Sequence, residues 1–394
     1  MVPTKRLHQI NSSRIFQEIW LNRGKSRIAI AEELNLDRST ITKVVRQLLE
    51  YGIVRTTGKY HGKPGAGRMA TGLEIDPEFA LVLGIEVQTE FFRSALVSFD
   101  GTIIHAETVS YEGNDLEPEI SSVIESQIKL AQKAGKPLAG IGIGLSGIVD
   151  PYRGVILQSN PLGIREPLPL RDLLQQRFGC PVFLENDANC CCWGEKAFHR
   201  APSDRNFLAL LGEFRNIDIH NNRVNGVAVG LGIVIRDTVL HGDSFTVGEF
   251  QSLLYDTENP GRSQFSISDE EAERLPEDEA ILDRVFYETA YNISLLANTL
   301  DITRIVIAGD FVLFAEQLSK HLETQIKRNW SYPGSSNCVI AVSPDKEQSV
   351  CLGAAGLFIQ KLFSVPEMTD HIEEPVGTIL LDRIIHQFNS LGLG

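Results

Sequence analysis

The sequence predicts an α/β protein in two unequal parts, a small basic head and a larger two-lobed body. Three observations predict it. Charge is split, because the first 72 residues hold 13 Lys and Arg against 5 Asp and Glu, while the remainder holds 24 against 46. Helical apolar spacing fills the head as far as Gly52, whereas short apolar runs alternating with helical segments fill the body. The strand and helix order of the body is also run through twice.

A chain of 394 residues is long enough for more than one buried core. Its net charge of −14 and hydrophobic content of 43% suit a globular chain rather than a disordered one. No apolar run is long enough to span a bilayer, and Met1–Arg6 lacks the apolar core of a secretion signal, so a cytoplasmic protein without membrane contact is expected. Cys190, Cys191 and Cys192 are adjacent, so on a helix their side chains diverge and make a poor disulfide framework. With Cys180, Cys338 and Cys351 they are read as reduced core residues.

In the head, residues 12–21 read as a helix with Ile15, Phe16, Ile19 and Trp20 on one face, capped by Asn11 or Ser12. A second helix starts at Ser26 and runs to Leu34, with Ile28, Ala31 and Leu34 inward. A third runs from about Arg38 to Tyr51 and stops at Gly52, with Ile41, Val44 or Val45, and Leu48 inward. Its outer face carries Arg38, Ser39, Thr40, Thr42, Lys43 and Arg46. Two short helices joined by a turn, the second basic and polar outside, describe a helix-turn-helix whose second helix enters a major groove. A strand at residues 53–57, a basic Gly-rich loop and a strand at residues 69–75 then form a wing, with Lys59, Lys63 and Arg68 placed for phosphates or a minor groove. A basic head on an acidic body confines the expected nucleic-acid contact to this part.

After a joint at Asp76-Pro77-Glu78 the first lobe reads as strands at residues 81–87, 91–99 and 102–111, a helix at 118–134 and a strand at 138–144. A helix at 171–178 follows. The second lobe repeats the plan with strands at 207–211, 225–235 and 304–308, a long helix at 279–300, and helices near 312–330 and 349–363. The expected domains are therefore 1–75, 79–187, 188–365 and a helical tail 366–394. Residues 378–388 of that tail present Ile379, Leu380, Ile384 and Ile385 for docking on the first lobe or on a partner subunit. Two similar halves around a cleft make an actin-like, sugar-kinase-like (ribonuclease H-like) layout.

Between the lobes lies Val182-Phe183-Leu184-Glu185-Asn186-Asp187-Ala188-Asn189, an apolar run that ends in Glu-Asn-Asp as a helix begins. In open α/β sheets, ligands bind outside the carboxyl ends of strands. Asp187 can there take a proton from a hydroxyl or hydrogen-bond a polyol; the plainer reading makes it the N-cap of the helix.

This stretch, with Gly142–Asp150, Ser159-Asn160-Pro161-Leu162, Trp193-Gly194-Glu195 and Gly248-Glu249, resembles the ROK family of bacterial sugar kinases and sugar-responsive repressors, and the head resembles winged-helix repressors. The resemblance implies a sugar in the cleft held by Ser146, Gly147, Asn160, Asn186, Asp187 and Glu249. Carboxylate and amide pairs suit adjacent hydroxyls, since they bind them with several hydrogen bonds at once.

Two departures from the family pattern matter. Its kinases carry an Asp-x-Gly-Gly-Thr phosphate loop, where this chain has Glu86-Val87-Gln88-Thr89-Glu90, and a second phosphate loop whose Thr and Gly are here Val227 and Ala228. Without those glycines the backbone loses its close approach to phosphate, and Glu90 adds a repulsive charge. Many members also place a His three residues after the Glu of Gly-Glu and a cysteine-rich zinc loop beyond it. Here Ser252 holds the His position and no cysteine lies between Cys192 and Cys338, so neither metal nor cofactor is expected. The sequence is thus read as a sugar-responsive, dimeric, operator-binding regulator, a repressor of carbohydrate-utilisation genes without phosphoryl transfer. The competing reading is an ATP-dependent sugar kinase with a DNA-binding head, in which Asp187 is the general base.

Overall fold

The computed structural model describes residues 4–60, 70–111, 115–199, 205–219, 222–255, 263–334, 337–366, 375–390 and 392. The head comprises α1 (Thr4–Leu21), α2 (Arg27–Leu34), α3 (Arg38–Glu50) and the antiparallel pair β1 (Val54–Tyr60) and β2 (Ala70–Ile75). Ile15, Phe16 and Ile19 of α1, Ile30 and Ala31 of α2, and Ile41, Val44, Val45 and Leu48 of α3 are buried in one cluster. The turn after α1 joins the wing sheet through Gly24 N–H to Leu73 O (2.8 Å) and Leu73 N–H to Lys25 O (3.1 Å).

Two expectations are corrected here. α1 begins at Thr4 rather than at Ser12, and Asn11 and Ser12 lie inside it rather than capping it. The next residue, Ser13, is buried and its Oγ accepts the Thr378 N–H at 3.0 Å from a distant segment. Ile28 is 48% exposed, and Ile30 takes the inward place. An eight-residue helix has about two turns, so apolar residues at 28, 30, 31 and 34 do not define one face, and packing decides.

The first lobe runs β3 (Leu81–Val87), β4 (Phe91–Ser98), β5 (Ile103–Ser110), α4 (Leu116–Lys133), β6 (Leu138–Leu145), β7 (Ile148–Asp150), β8 (Val155–Gln158), α5 (Leu170–Phe178), β9 (Val182–Asn186) and α6 (Asp187–Phe198). Its five-stranded sheet has the order β5-β4-β3-β6-β9, antiparallel as far as β3 and parallel from β3 to β9. The second lobe runs β10 (Phe207–Ile219), β11 (Asn222–Ile235), β12 (Thr238–Val239), α7 (Asp269–Ala272), α8 (Glu279–Thr299), β13 (Arg304–Gly309), α9 (Ala315–Arg328) and β14 (Val339–Val342). Its sheet order, β12-β11-β10-β13-β14, repeats the same pattern of hairpin followed by parallel strands. β10 extends well beyond Leu211, and the strand expected over residues 225–235 pairs with it, from Arg215↔Gly226 to Phe207↔Val234.

α10 (Ser349–Leu362) and α11 (Thr378–Ser390) close the chain. α10 follows the second lobe in sequence but lies on the first lobe's sheet. A Cβ on Gly84 would sit 1.9 Å from Cys351 O, and one on Gly142 1.8 Å from Ala354 O. On its other side α10 meets α6, where a Cβ on Gly353 would sit 1.9 Å from Cys190 O. α6 in turn presses its Ala188 carbonyl towards Gly232 of the second sheet. At its far end α10 delivers Phe363, which stacks on Trp20 (centroids 4.7 Å apart, planes 9° apart) and packs on Phe16. α11 buries Leu380, Leu381, Ile384 and Phe388 in the same cluster as the head and one face of the first sheet, so the tail docks within its own chain. No helix among the described residues is long and apolar enough to cross a membrane.

Gly142→Val should destabilise the fold by about 3 kcal/mol, because a side chain there must displace the α10 backbone rather than a movable side chain. Urea denaturation read against Gly58→Ala, where the added carbon meets nothing within 4 Å, gives the comparison; equal midpoints would refute the contact.

Candidate functional site

β9 ends and α6 begins at the mouth of the cleft. Asn186, in extended conformation, is the N-cap, and its Oδ1 accepts the N–H groups of Ala188 (3.0 Å) and Asn189 (3.3 Å). Asp187 is therefore not the cap. It is the first helical residue, buried, with Oδ1 accepting the Ala188 N–H at 2.8 Å. Asn186 Nδ2 donates to Gly147 O at 3.2 Å, so both ends of the expected ligand contact already serve the fold. Gly147 has φ +135°, and a Cβ there would lie 2.6 Å from Gln158 O, so the turn after β6 requires glycine. Ser159 Oγ donates to Ser146 O at 2.6 Å, which fixes that turn from below.

All six residues expected at a sugar site, Ser146, Gly147, Asn160, Asn186, Asp187 and Glu249, line one cavity of about 540 Å³ between the lobes. That volume lies within the range of small-molecule sites. Gln158 Nε2 donates to Asn160 Oδ1 at 3.1 Å on one wall. Glu249 stands on the opposite wall, in a bridge with Gly230, and desolvation by the cleft together with the charge of Asp187 pushes its carboxyl pKa up. Val227, Val229, Phe245 and Val247 supply an apolar surface beside these groups.

Beneath the cavity, Glu185 is buried and accepts from His241 Nε2 (2.8 Å), Trp193 Nε1 (3.0 Å), Asn189 Nδ2 (3.2 Å) and the Asn186 N–H (2.9 Å). Burial opposes its ionisation, but the bonds from His241 and Trp193 outweigh that and hold its pKa below the ordinary value. His241 comes from the second lobe, so this carboxylate ties the two lobes below the cleft.

Sequence reading missed the charged group at the back of the cavity. β10 continues past Leu211 and projects Glu213 and Arg215 on the face that Leu211 presents to the cleft, as a two-residue period requires. Arg215 Nη1 donates to Ser146 Oγ at 2.7 Å and Nη2 to Asp187 Oδ2 at 3.2 Å, while its Nε donates to Glu213 Oε2 at 2.6 Å. Ser146 Oγ donates to the same Asp187 Oδ2 at 2.5 Å. Gln88 Nε2 then donates to both Glu213 Oε1 and Glu86 Oε1, each at 2.9 Å, and Arg93 Nη1 to Glu86 Oε2 at 2.7 Å. The signal was present as Glu213-Phe214-Arg215, alternating charged and apolar directly after an apolar run.

On the head, Arg38, Ser39, Thr42, Lys43 and Arg46 are exposed along α3 and Thr40 is half-buried. Gln47, not singled out from the sequence, is exposed on the same helix. Lys59 falls on β1, and Lys63 and Arg68 lie outside the described residues.

Burial pushes Glu86 up from 4.5 to about 7, the nearby Glu213 adds to the rise, and Arg93 opposes it. A raised folded-state value means the folded protein holds this proton more tightly than the unfolded chain. The group's contribution is then fully present below about pH 4.5 and is lost as pH rises to about 7. Glu86→Gln should therefore lose less stability than the parent between pH 5 and 8 in urea titrations; an equal loss would exclude Glu86 as the group responsible.

Comparison with known proteins places this geometry. The ROK family model matches residues 82–250. The xylose repressor of Caldicellulosiruptor bescii is 25% identical over 410 residues, covering 92% of this chain and 98% of the relative. A solved ROK family transcriptional regulator, described as a homologue of the E. coli Mlc protein, superposes with a TM-score of 0.74 at 21% identity over 97% of this chain and 100% of its own. A ROK family glucokinase from Streptomyces griseus, solved with glucose and AMPPNP, superposes with a TM-score of 0.52 at 19% identity over 71% of this chain and 99% of its own. Residues 82–250, which include the Glu-Asn-Asp junction, carry a ROK family domain.

Proposed function

We propose that this protein is a sugar-responsive transcriptional repressor that binds operator DNA through α3 and the wing and an effector sugar in the interlobe cleft, without phosphoryl transfer. One observation carries the reading. A polyol-type cavity ringed by Ser146, Asn160, Asp187 and Glu249 lies in a body that shares a continuous apolar core with a head whose third helix exposes Arg38, Ser39, Thr42, Lys43 and Arg46. The full-length likeness to a protein named xylose repressor supports it and favours a pentose or hexose as the effector. A single recognition helix reads too few bases for genomic specificity, so the protein acts as a dimer on a palindromic site.

The kinase alternative is disfavoured by the chemistry behind Asp187. A general base needs a free acceptor beside the substrate hydroxyl, whereas Asp187 Oδ2 already accepts from Ser146 and Arg215. Where a nucleotide's phosphates would enter, Glu86 and Glu213 stand buried with raised pKa values, Glu213 through desolvation. Ionised carboxylates there would repel phosphate, and no flexible glycine remains at residues 86–90.

Fluorescence anisotropy on DNA flanking the protein's own gene, near physiological salt, tests the reading with D-xylose, D-glucose, cellobiose and the sugar 6-phosphates. One of these sugars should weaken sequence-specific binding at least tenfold. Glu249→Gln, which lines the cavity but bonds to none of the charged groups behind it, should bind the same DNA within about twofold of the parent and require roughly tenfold more sugar for release, the loss expected for one charge-assisted hydrogen bond. ATP-dependent phosphorylation of any of these sugars, abolished in Asp187→Asn, would instead establish the kinase.

A further inference from the structure

The back of the cleft holds more than a ligand site requires. Asp187 and Ser146 belong to the first lobe, and Arg215 and Glu213 to the second. Across the gap Arg215 gives Nη1 to Ser146 and Nη2 to Asp187, and Glu213 accepts from Gln88 of the turn between β3 and β4. These are interlobe contacts made by buried or nearly buried polar groups. Glu86, Gln88, Asp187 and Glu213 are each no more than 8% exposed. Two buried carboxylates, Glu86 and Glu213, are held beside each other by the single amide of Gln88, which donates to both. Such a group is poorly stabilised by its own charges and is sensitive to the loss of one member. It specifies one relative placement of the lobes rather than adding much stability.

The two sides of this group are unequal. The first sheet, α10, α11 and the head are joined by apolar packing and by backbone approaches at Gly84 and Gly142 that leave no room for sliding. The second lobe has its own core around α8 and α9. A change in how the lobes meet therefore moves the second lobe against a unit that includes the head. A sugar hydroxyl that needs Asp187 Oδ2 meets an acceptor occupied by Ser146 and by a guanidinium from the opposite lobe.

We propose that Arg215, Glu213 and Gln88 form an interlobe latch in which Arg215 is an internal ligand of Asp187 that the effector sugar displaces, so that sugar occupancy is read as a changed position of the second lobe relative to the head. The inference rests on the sugar-responsive reading above and adds the positioning residues that convert binding into response. The latched arrangement is the DNA-binding one, and the sugar prefers the unlatched one. That difference in preference is what allows a ligand to shift an equilibrium at all.

Gln88 makes the sharpest test, because it bridges the lobes without lining the sugar cavity. Gln88→Met removes the one donor that Glu86 and Glu213 share and releases the latch. Sugar affinity of the DNA-free protein should then rise about tenfold, since the competent state no longer has to be reached from a latched one. DNA affinity without sugar should fall, and the ratio of DNA affinities without and with sugar should shrink towards one. A merely structural role predicts the opposite sign, weaker sugar binding together with lower stability. Gln88→Asn, whose shorter amide cannot span both carboxylates yet keeps the site polar, tests the same bridge should the methionine variant fail to fold. The measurements are calorimetry and anisotropy on the full chain, with D-xylose, D-glucose and cellobiose as probes. Tighter sugar binding with a reduced ratio supports the latch. Unchanged or weaker sugar binding, or an undiminished ratio, overturns it while leaving a responsive parent intact. A parent whose DNA binding no sugar alters overturns the functional reading and the latch with it.

Discussion

Backbone laid on backbone organises this molecule. α10 rests on the first sheet where Gly84 and Gly142 have no side chains, and on α6 where Gly353 has none. The approach is closer than any side-chain layer allows, so α10 holds one position between the sheet and α6. One end of the helix lies beside the interlobe charges, where Arg93 also donates to the Glu347 carbonyl just before it. The other end presents Phe363 to Trp20 and Phe16 of the head. Fourteen residues at about 1.5 Å each make a rod of roughly 21 Å between cleft and head.

The head is consequently not a module on a tether. Its core continues through Phe363 into α10, through α11 into the tail, and through Phe79 onto Phe99 and Phe388. Ser13, in the middle of α1, accepts the Thr378 N–H at the start of α11, a bond spanning nearly the whole sequence. A head built in this way shares one core with the first lobe. Between the lobes, the polar contacts of Arg215, Glu213 and Gln88 lie beside an apolar layer in which α6 and α10 meet the second sheet.

Two buried carboxylates illustrate how their surroundings assign different tasks. Glu185 meets only donors, from His241, Trp193, Asn189 and the Asn186 amide, and its pKa falls despite burial. Glu86 meets Arg93 and Gln88 but also the Glu213 charge, and its pKa rises to about 7. The first is a satisfied support under the interlobe cavity. The second belongs to a group whose members satisfy one another only in one arrangement of the lobes, which makes it suited to sensing that arrangement.

The sequence by itself determined the two-part α/β architecture, the helix-turn-helix spacing and the strand-to-helix junction at Asn186-Asp187, because these rest on local periodicity and on residue types at fixed intervals. It also brought Ser146, Gly147, Asn160, Asn186, Asp187 and Glu249 into consideration, and the fold sets all six around one cavity. Tertiary structure decided the rest. Which apolar residue of the short α2 turns inward, Ile30 rather than Ile28, depends on packing against α1 and α3. That Asn186 rather than Asp187 caps α6 depends on backbone angles at a single residue. Where the tail docks depends on partners hundreds of positions away. Arg215 was visible as a charge near an apolar run, but its place beside Asp187 follows from β10 continuing past Leu211 to Ile219 and from the two lobes meeting at that depth. In elements long enough to show a period, local pattern encodes which face a residue takes, whereas only the closed chain decides what it faces.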